Sequence, residues 1–312
     1  MEMKMKYFLI DILFTIILGF FLASCSKLQD NIPVAPKLTV HTNGFANPSS
    51  ANFHGTYIKD NSYKMQQCEN CHAANFTGGT TGVACTSCHK DQNGPMACNT
   101  CHGDFNDPSR PSPPRDVNGD TSTTLMSVGA HASHLYNNTI GQQVACNNCH
   151  VVPQSVYSDG HLNPTPTSIV TLSGTAKTNI ASNASFDPNT GNCANIYCHG
   201  NFKFRKSNAD PTNQFAFTDS VMLGTPVTVT WTKVDGSQAE CGSCHGLPPA
   251  GHIGPIPLTE CFTCHGNVVD QTGKIINPAL HVNGTADVRG TVVSGSIKPG
   301  TPLYNLIHQK SK

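Results

Sequence analysis

The chain has 312 residues and carries 19 Lys and Arg against 19 Asp and Glu. That balance leaves no basic patch for nucleic acid and no field to steer a charged partner. Hydrophobic residues make up 38%, with 27 Gly and 21 Pro, against about 45–50% apolar in ordinary globular domains, so a conventional apolar core is excluded.

In chain order, residues 1–24 are predicted to be an export signal, with Lys4 and Lys6 ahead of the apolar run Ile12 to Ala23. Asp11 interrupts the stretch, and what remains is shorter than the ~20 residues a spanning helix needs. Leu22-Ala23-Ser24-Cys25 resembles a bacterial lipobox, with Cys25 as the lipid-modified first mature residue. Ser26 in place of an aspartate implies, by resemblance to known lipoproteins, sorting to the outer membrane, on its periplasmic or extracellular face. Residues 25–64 are then a lipid-anchored N-terminal segment.

Residues 65–110 hold three closely spaced motifs of one form: Cys68-Cys71-His72, Cys85-Cys88-His89 and Cys98-Cys101-His102. The proline-rich stretch Pro108 to Pro114 marks the end of this cluster. Residues 111–312 form a second region, opening on His131 and His134, which one helical turn could hold on one face. Cys146-Cys149-His150 follows, then a predicted strand from Ser168 to Leu172 and a linker-like stretch, Asn179 to Asn192. Cys193-Cys198-His199 has four residues between its cysteines, two of which must loop out if the sulfurs keep their usual spacing. Val227 to Thr232 alternates and is β-branched, the clearest strand signal in the chain. Cys241-Cys244-His245 and Cys261-Cys264-His265 complete the series, with His281 and His308 beyond.

Cys-x-x-Cys-His is the attachment signature of c-type haem: two thioether bonds tether the porphyrin edge, and the adjacent imidazole is the proximal iron ligand. Structural zinc needs four ligands and would pair the motifs in twos, which seven cannot satisfy. Disulfides give no reason for a histidine after each second cysteine. The motifs therefore predict seven covalently attached haem c groups. About 41 residues serve each haem, too few for a separate core, so the porphyrins supply the missing core and the apo-chain is expected to be unfolded. The expected fold is mostly irregular, short helices and loops wrapped around a stacked haem chain, with one small β-hairpin or sheet.

Fourteen of 15 cysteines lie in the motifs and one, Cys25, remains. Seven of 15 histidines are proximal, leaving His41, His54, His131, His134, His161, His252, His281 and His308. Seven irons need seven sixth ligands: the six central residues, His54 through His281, and one of His41 or His308. Several stand beside glycine or other turn-forming residues, where backbone can approach a flat ring. Methionine is a weaker axial candidate, because Met65, Met96, Met126 and Met222 show no comparable regularity.

The motifs at 146–150, 241–245 and 261–265 each lead on to a further histidine, which suggests a repeated haem unit. The Cys-x4-Cys-His at 193–199, the strand with Trp231 and Cys241 through Pro249 resemble the CxxxxCH/CxxCH multihaem cytochromes of dissimilatory metal-reducing bacteria. Gly129 through Leu135 and His281 through Gly284 are similar to theirs too. The resemblance implies low-potential electron transfer at or outside the outer membrane, with metal oxides as an acceptor. It also implies partners among other redox cytochromes or a porin–cytochrome complex. Self-association into a filament, or a multihaem reductase, is the alternative. No Cys-x-x-Cys-Lys marks an open iron, so no catalytic residue is expected.

Overall fold

The computed structural model describes residues 40–162 and 169–288. The predicted export signal, Cys25, the first part of the anchored segment, Ser168 and His308 lie outside the described residues. Two compact units divide between Asn61 and Ser62.

In the first unit, helix α1 (His54–Asp60) starts at His54. The His54 Nδ1 and the Phe45 carbonyl are 3.0 Å apart, and the Phe45 ring stacks on His41 at 4.2 Å.

The second unit is built largely from turns. Its helices are short: α2 (Gln66–His72), α3 (Cys98–Cys101), α4 (His131–Leu135) and α5 (Phe262–His265). Five strands make two small antiparallel sheets rather than one. Strands β1 (Ser185–Asp187), β2 (Asn192–Ala194) and β5 (Val229–Thr230) form the first, in the order β1-β2-β5. Strands β3 (Lys203–Arg205) and β4 (Val221–Leu223) form the second.

Two expected features differ, each for a local reason. Asn179 to Asn192 is not a plain linker: it contains β1, and Ala181 within it is fully buried. Asp187 closes the β1–β2 turn by accepting from the Asn189 N–H at 2.9 Å and the Thr190 hydroxyl at 2.7 Å, the usual role of a short acceptor side chain in a turn. Conversely, Ile169 to Leu172 is no strand. Its neighbourhood bonds to a motif instead: Thr171 N–H donates to Cys149 O and Ser173 N–H to Asn148 O, both at 2.8 Å.

Among the described residues, fourteen apolar side chains are buried, and they are scattered along the chain rather than gathered. One cluster is compact: Leu172, Ala176 and Ile196, packed with Phe186 and three motif cysteines, Cys149, Cys193 and Cys198. The sulfurs are thus part of the core they adjoin. No described helix is long and apolar enough to cross a membrane.

Candidate haem sites

Most motifs share one turn. The histidine N–H donates to the carbonyl of the first cysteine at 3.0 Å for His89, 3.3 Å for His102 and 2.9 Å for both His150 and His265. That closes one helical turn, which carries both sulfurs and the imidazole on adjacent steps. The Cys241 motif lacks this turn, and Gly242 sits there at φ +89°.

The Cys193 motif is built differently. Cys193 lies on β2, Asn195 takes a left-handed conformation (φ +57°), and Tyr197–His199 forms a 3₁₀ turn. Within the insert, Ile196 and Tyr197 are buried. Asn201 braces the reversal, its Nδ2 donating to Asn195 O at 2.8 Å. Tyr197 reaches outward to accept from Gly284 N–H at 3.0 Å. Gly200 follows at φ +93°, where a Cβ would fall 2.2 Å from Thr225 O and 2.4 Å from Cys244 O. Thr225 N–H donates to Cys244 O at 2.9 Å and Val227 N–H to His199 O at 3.1 Å. One extended segment therefore bonds this motif to the next.

Four of the remaining histidines, His131, His134, His161 and His281, face proximal ones. Ring centres are 6.5 Å apart for His102 and His161, 6.2 Å for His131 and His150, 6.3 Å for His134 and His199, and 6.3 Å for His245 and His281. His265 lies near enough to His252 to disfavour its protonation. Two metal–nitrogen bonds of about 2.0 Å, each continued by about 1.2 Å to a ring centre, set two imidazoles about 6.4 Å apart across one ion. The separations hold to this value while the interplanar angles run from 20° to 87°. Fixed distance with free rotation is the geometry of two ligands on a common axis.

Ring orientation supports the same fit. Nδ1 of His131 lies 2.7 Å from Val128 O, that of His134 2.9 Å from Ala130 O, and that of His161 2.9 Å from Val156 O. For His252 the partner is Ile253 O at 2.7 Å, and for His281 Ile140 O at 2.6 Å. On the motif side, His72, His102, His150, His245 and His265 have Nδ1 on backbone carbonyls between 2.6 and 3.3 Å away. A carbonyl can only accept, so Nδ1 carries the proton and Nε2 keeps the lone pair a metal needs. His199 differs: its Nδ1 is enclosed and meets no acceptor.

Protonation favours ligation as well. Burial, with the facing imidazole adding to it, pushes His131 down to about 4 and His199 to about 4. Burial also lowers His102, His252 and His281. Neutral imidazole is the ligating form. The fourteen motif cysteines form no disulfide among the described residues, and burial pushes the Cys193 and Cys198 thiols up to about 11.

Among the described residues, no three of His, Cys, Asp and Glu converge as a structural zinc site requires. The imidazoles come in twos, as a macrocycle holding the other four iron positions demands. Exposed apolar side chains flank the motifs, with Val151 80%, Ile169 67% and Val83 64% exposed. A flat apolar group would cover them. The residues fit haem.

Sequence reasoning named these histidines but not which of them face each other. His161 lies eleven residues past His150 yet faces His102, and His252 lies seven past His245 yet it is His265 whose charge disfavours its protonation. It also passed over Asn99, which is buried and donates to Asp104 O and Phe105 O at 3.2 and 3.3 Å. An asparagine inside a Cys-x-x-Cys pair carries no signal that would have found it.

Residues 192–245 match the family model described as the Geobacter CxxxxCH...CXXCH motif. Neither the curated proteins nor the solved structures give a match. The matched stretch spans the two motifs joined through residues 225–227, and the chain is a multihaem c-type cytochrome-like protein whose Cys-x-x-Cys-His motifs indicate covalently bound haem.

Proposed function

We propose that this protein carries electrons along seven bis-histidine c-type haems in an outer-membrane or extracellular electron-transfer pathway. Each bound haem supplies a one-electron iron couple whose potential follows its ligands, burial and hydrogen bonds. The observation that carries the reading is the recurrent imidazole pair, a motif histidine facing a histidine from elsewhere at 6.2 to 6.5 Å.

The chain's own residues do three things in this reading. Motif turns hold the cysteine pairs and the proximal imidazole. Backbone carbonyls hold Nδ1–H of both rings in the His102–His161, His131–His150 and His245–His281 pairs and of His134 alone in the pair with His199, so most ligands are set before any change of iron charge. The apolar cluster around Cys149, Cys193 and Cys198 brings two attachment sites into one packed unit. His54, with Nδ1 fixed on Phe45 O, and one of His41 or His308 complete the distal set. Closing both axial positions argues for transfer rather than chemistry on iron.

Lipid at Cys25 would tether the carrier to the outer membrane, where other redox cytochromes or a porin–cytochrome complex are the partners and metal oxides a terminal acceptor. Intact mass of the holo-protein, with its electron paramagnetic resonance (EPR) spectrum, tests the proposal. Seven haems, acyl chains and a low-spin ferric spectrum are expected. A mainly high-spin spectrum, or carbon monoxide binding by the unmodified reduced protein, would replace it with a multihaem reductase.

A further inference from the structure

Trp231, the chain's single tryptophan, touches two of the facing imidazoles. Its ring centre is 4.7 Å from that of His131 with planes at 89°, and 5.7 Å from that of His134 with planes at 23°. His131 faces His150 and His134 faces His199. One indole thus borders the distal side of two different sites.

The indole is held at both ends. Its backbone N–H donates to Gly191 O at 2.7 Å, and its Nε1–H donates to Met126 O at 2.9 Å. Gly129 makes room for it: a Cβ there would fall 2.0 Å from Nε1, and φ is +42°. The small residue ahead of His131 therefore admits a flat ring, and that ring is an indole.

Each distal imidazole already gives Nδ1–H to its own turn. That bond selects the nitrogen facing the metal but leaves the ring some rotation about the bond that carries it. A rigid indole against both rings removes this freedom. The two sites end at different angles, 20° between His131 and His150 and 68° between His134 and His199.

We propose that Trp231 is a positioning residue that sets the plane of the distal imidazole at two neighbouring haem sites at once. This rests on the bis-histidine reading. The angle between axial imidazole planes sets the splitting of the iron d orbitals. Nearly parallel planes give a rhombic low-spin ferric EPR signal, and nearly perpendicular planes give a single large g value. A residue that merely packed would leave these signals in place.

The test compares full-length holo-protein with Trp231→Leu, Trp231→Phe and Gly129→Ala, at equal haem count by mass. The expected result is that Trp231→Leu shifts two of the seven low-spin signals, one rhombic and one of large g, and leaves five unchanged. Gly129→Ala, which displaces the indole without removing it, should shift the same two. Trp231→Phe, which keeps an aromatic face but loses the Met126 bond, should shift them less. If Trp231→Leu fails to mature, Gly129→Ala and Trp231→Phe decide alone. Unchanged signals in the variants that mature overturn the proposal. His131→Ala and His134→Ala separate it from the reading beneath it: each should convert one site to high spin. If neither does, the ligand assignment fails, whatever the indole does.

Discussion

The sites at Cys98 and Cys193 reach the same imidazole geometry from opposite backbones. At Cys98, one turn of α3 carries both cysteines, and the His102 Nδ1 bonds Pro111 O at 2.8 Å. At Cys193, a strand carries the first cysteine and a 3₁₀ turn the second. There Ile196 and Tyr197 are buried between them, and His199 Nδ1 has no acceptor. Yet the facing rings are 6.5 and 6.3 Å away. The separation across the metal position is conserved between the two sites, while the connection between cysteines is free to vary. The longer insert adds apolar packing in place of a ligand hydrogen bond.

Four experiments would break or sharpen that contrast. The largest effect should come from removing attachment. Serine at both cysteines of either motif should cost one haem by mass, and the Cys193/Cys198 pair should also lower the melting temperature more. Those two sulfurs pack with Leu172, Ala176 and Ile196, whereas Cys98 is exposed; equal melting temperatures would remove the distinction.

Next, His161→Ala should turn the Cys98 site high spin and His134→Ala the Cys193 site, each variant binding one carbon monoxide per reduced protein. Binding at any other site would reassign the pairs.

A smaller difference separates two supporting side chains. Ile196→Ala should destabilise by about 2–4 kcal/mol through lost burial and a residual cavity. Asn99→Ala should cost about 1–3 kcal/mol by leaving two carbonyls without their donor. Denaturant melts of the holo-protein would rank them.

The smallest effect is a potential. An imidazole whose Nδ1–H is bonded to a carbonyl donates more electron density to iron and favours the ferric state. The His199 site should therefore titrate at a more positive potential than the His102 site. Spectropotentiometry of the protein beside its His134→Ala and His161→Ala variants would order them, and the reverse order would count against the role given to Nδ1.

Much of the candidate site could be read from cysteine and histidine spacing, because attachment chemistry is local and needs its residues within one turn. The strand signal before Trp231 also came through, though only Val229–Thr230 pairs. What escaped was non-local. A distal imidazole must approach from the face opposite its motif, so the histidine nearest in sequence is not bound to be the nearest in space, as His161 and His252 illustrate. Asn179 to Asn192 hid a strand for a related reason, since its Asp187 closes a turn onto Asn189 and Thr190 instead of lying in a spacer. Ser168 to Leu172 reads as a strand, yet among its described residues Thr171 N–H bonds Cys149 O, on a motif.

The crossed pairing has a consequence for durability. Once metal bridges join His102 to His161 and His245 to His281, the intervening stretches become closed loops. A protease nick between residues 103 and 160, or between 246 and 280, would leave the fragments laced together. Such a molecule would keep its form after its backbone had been cut, and would come apart only when the axial imidazoles left the iron.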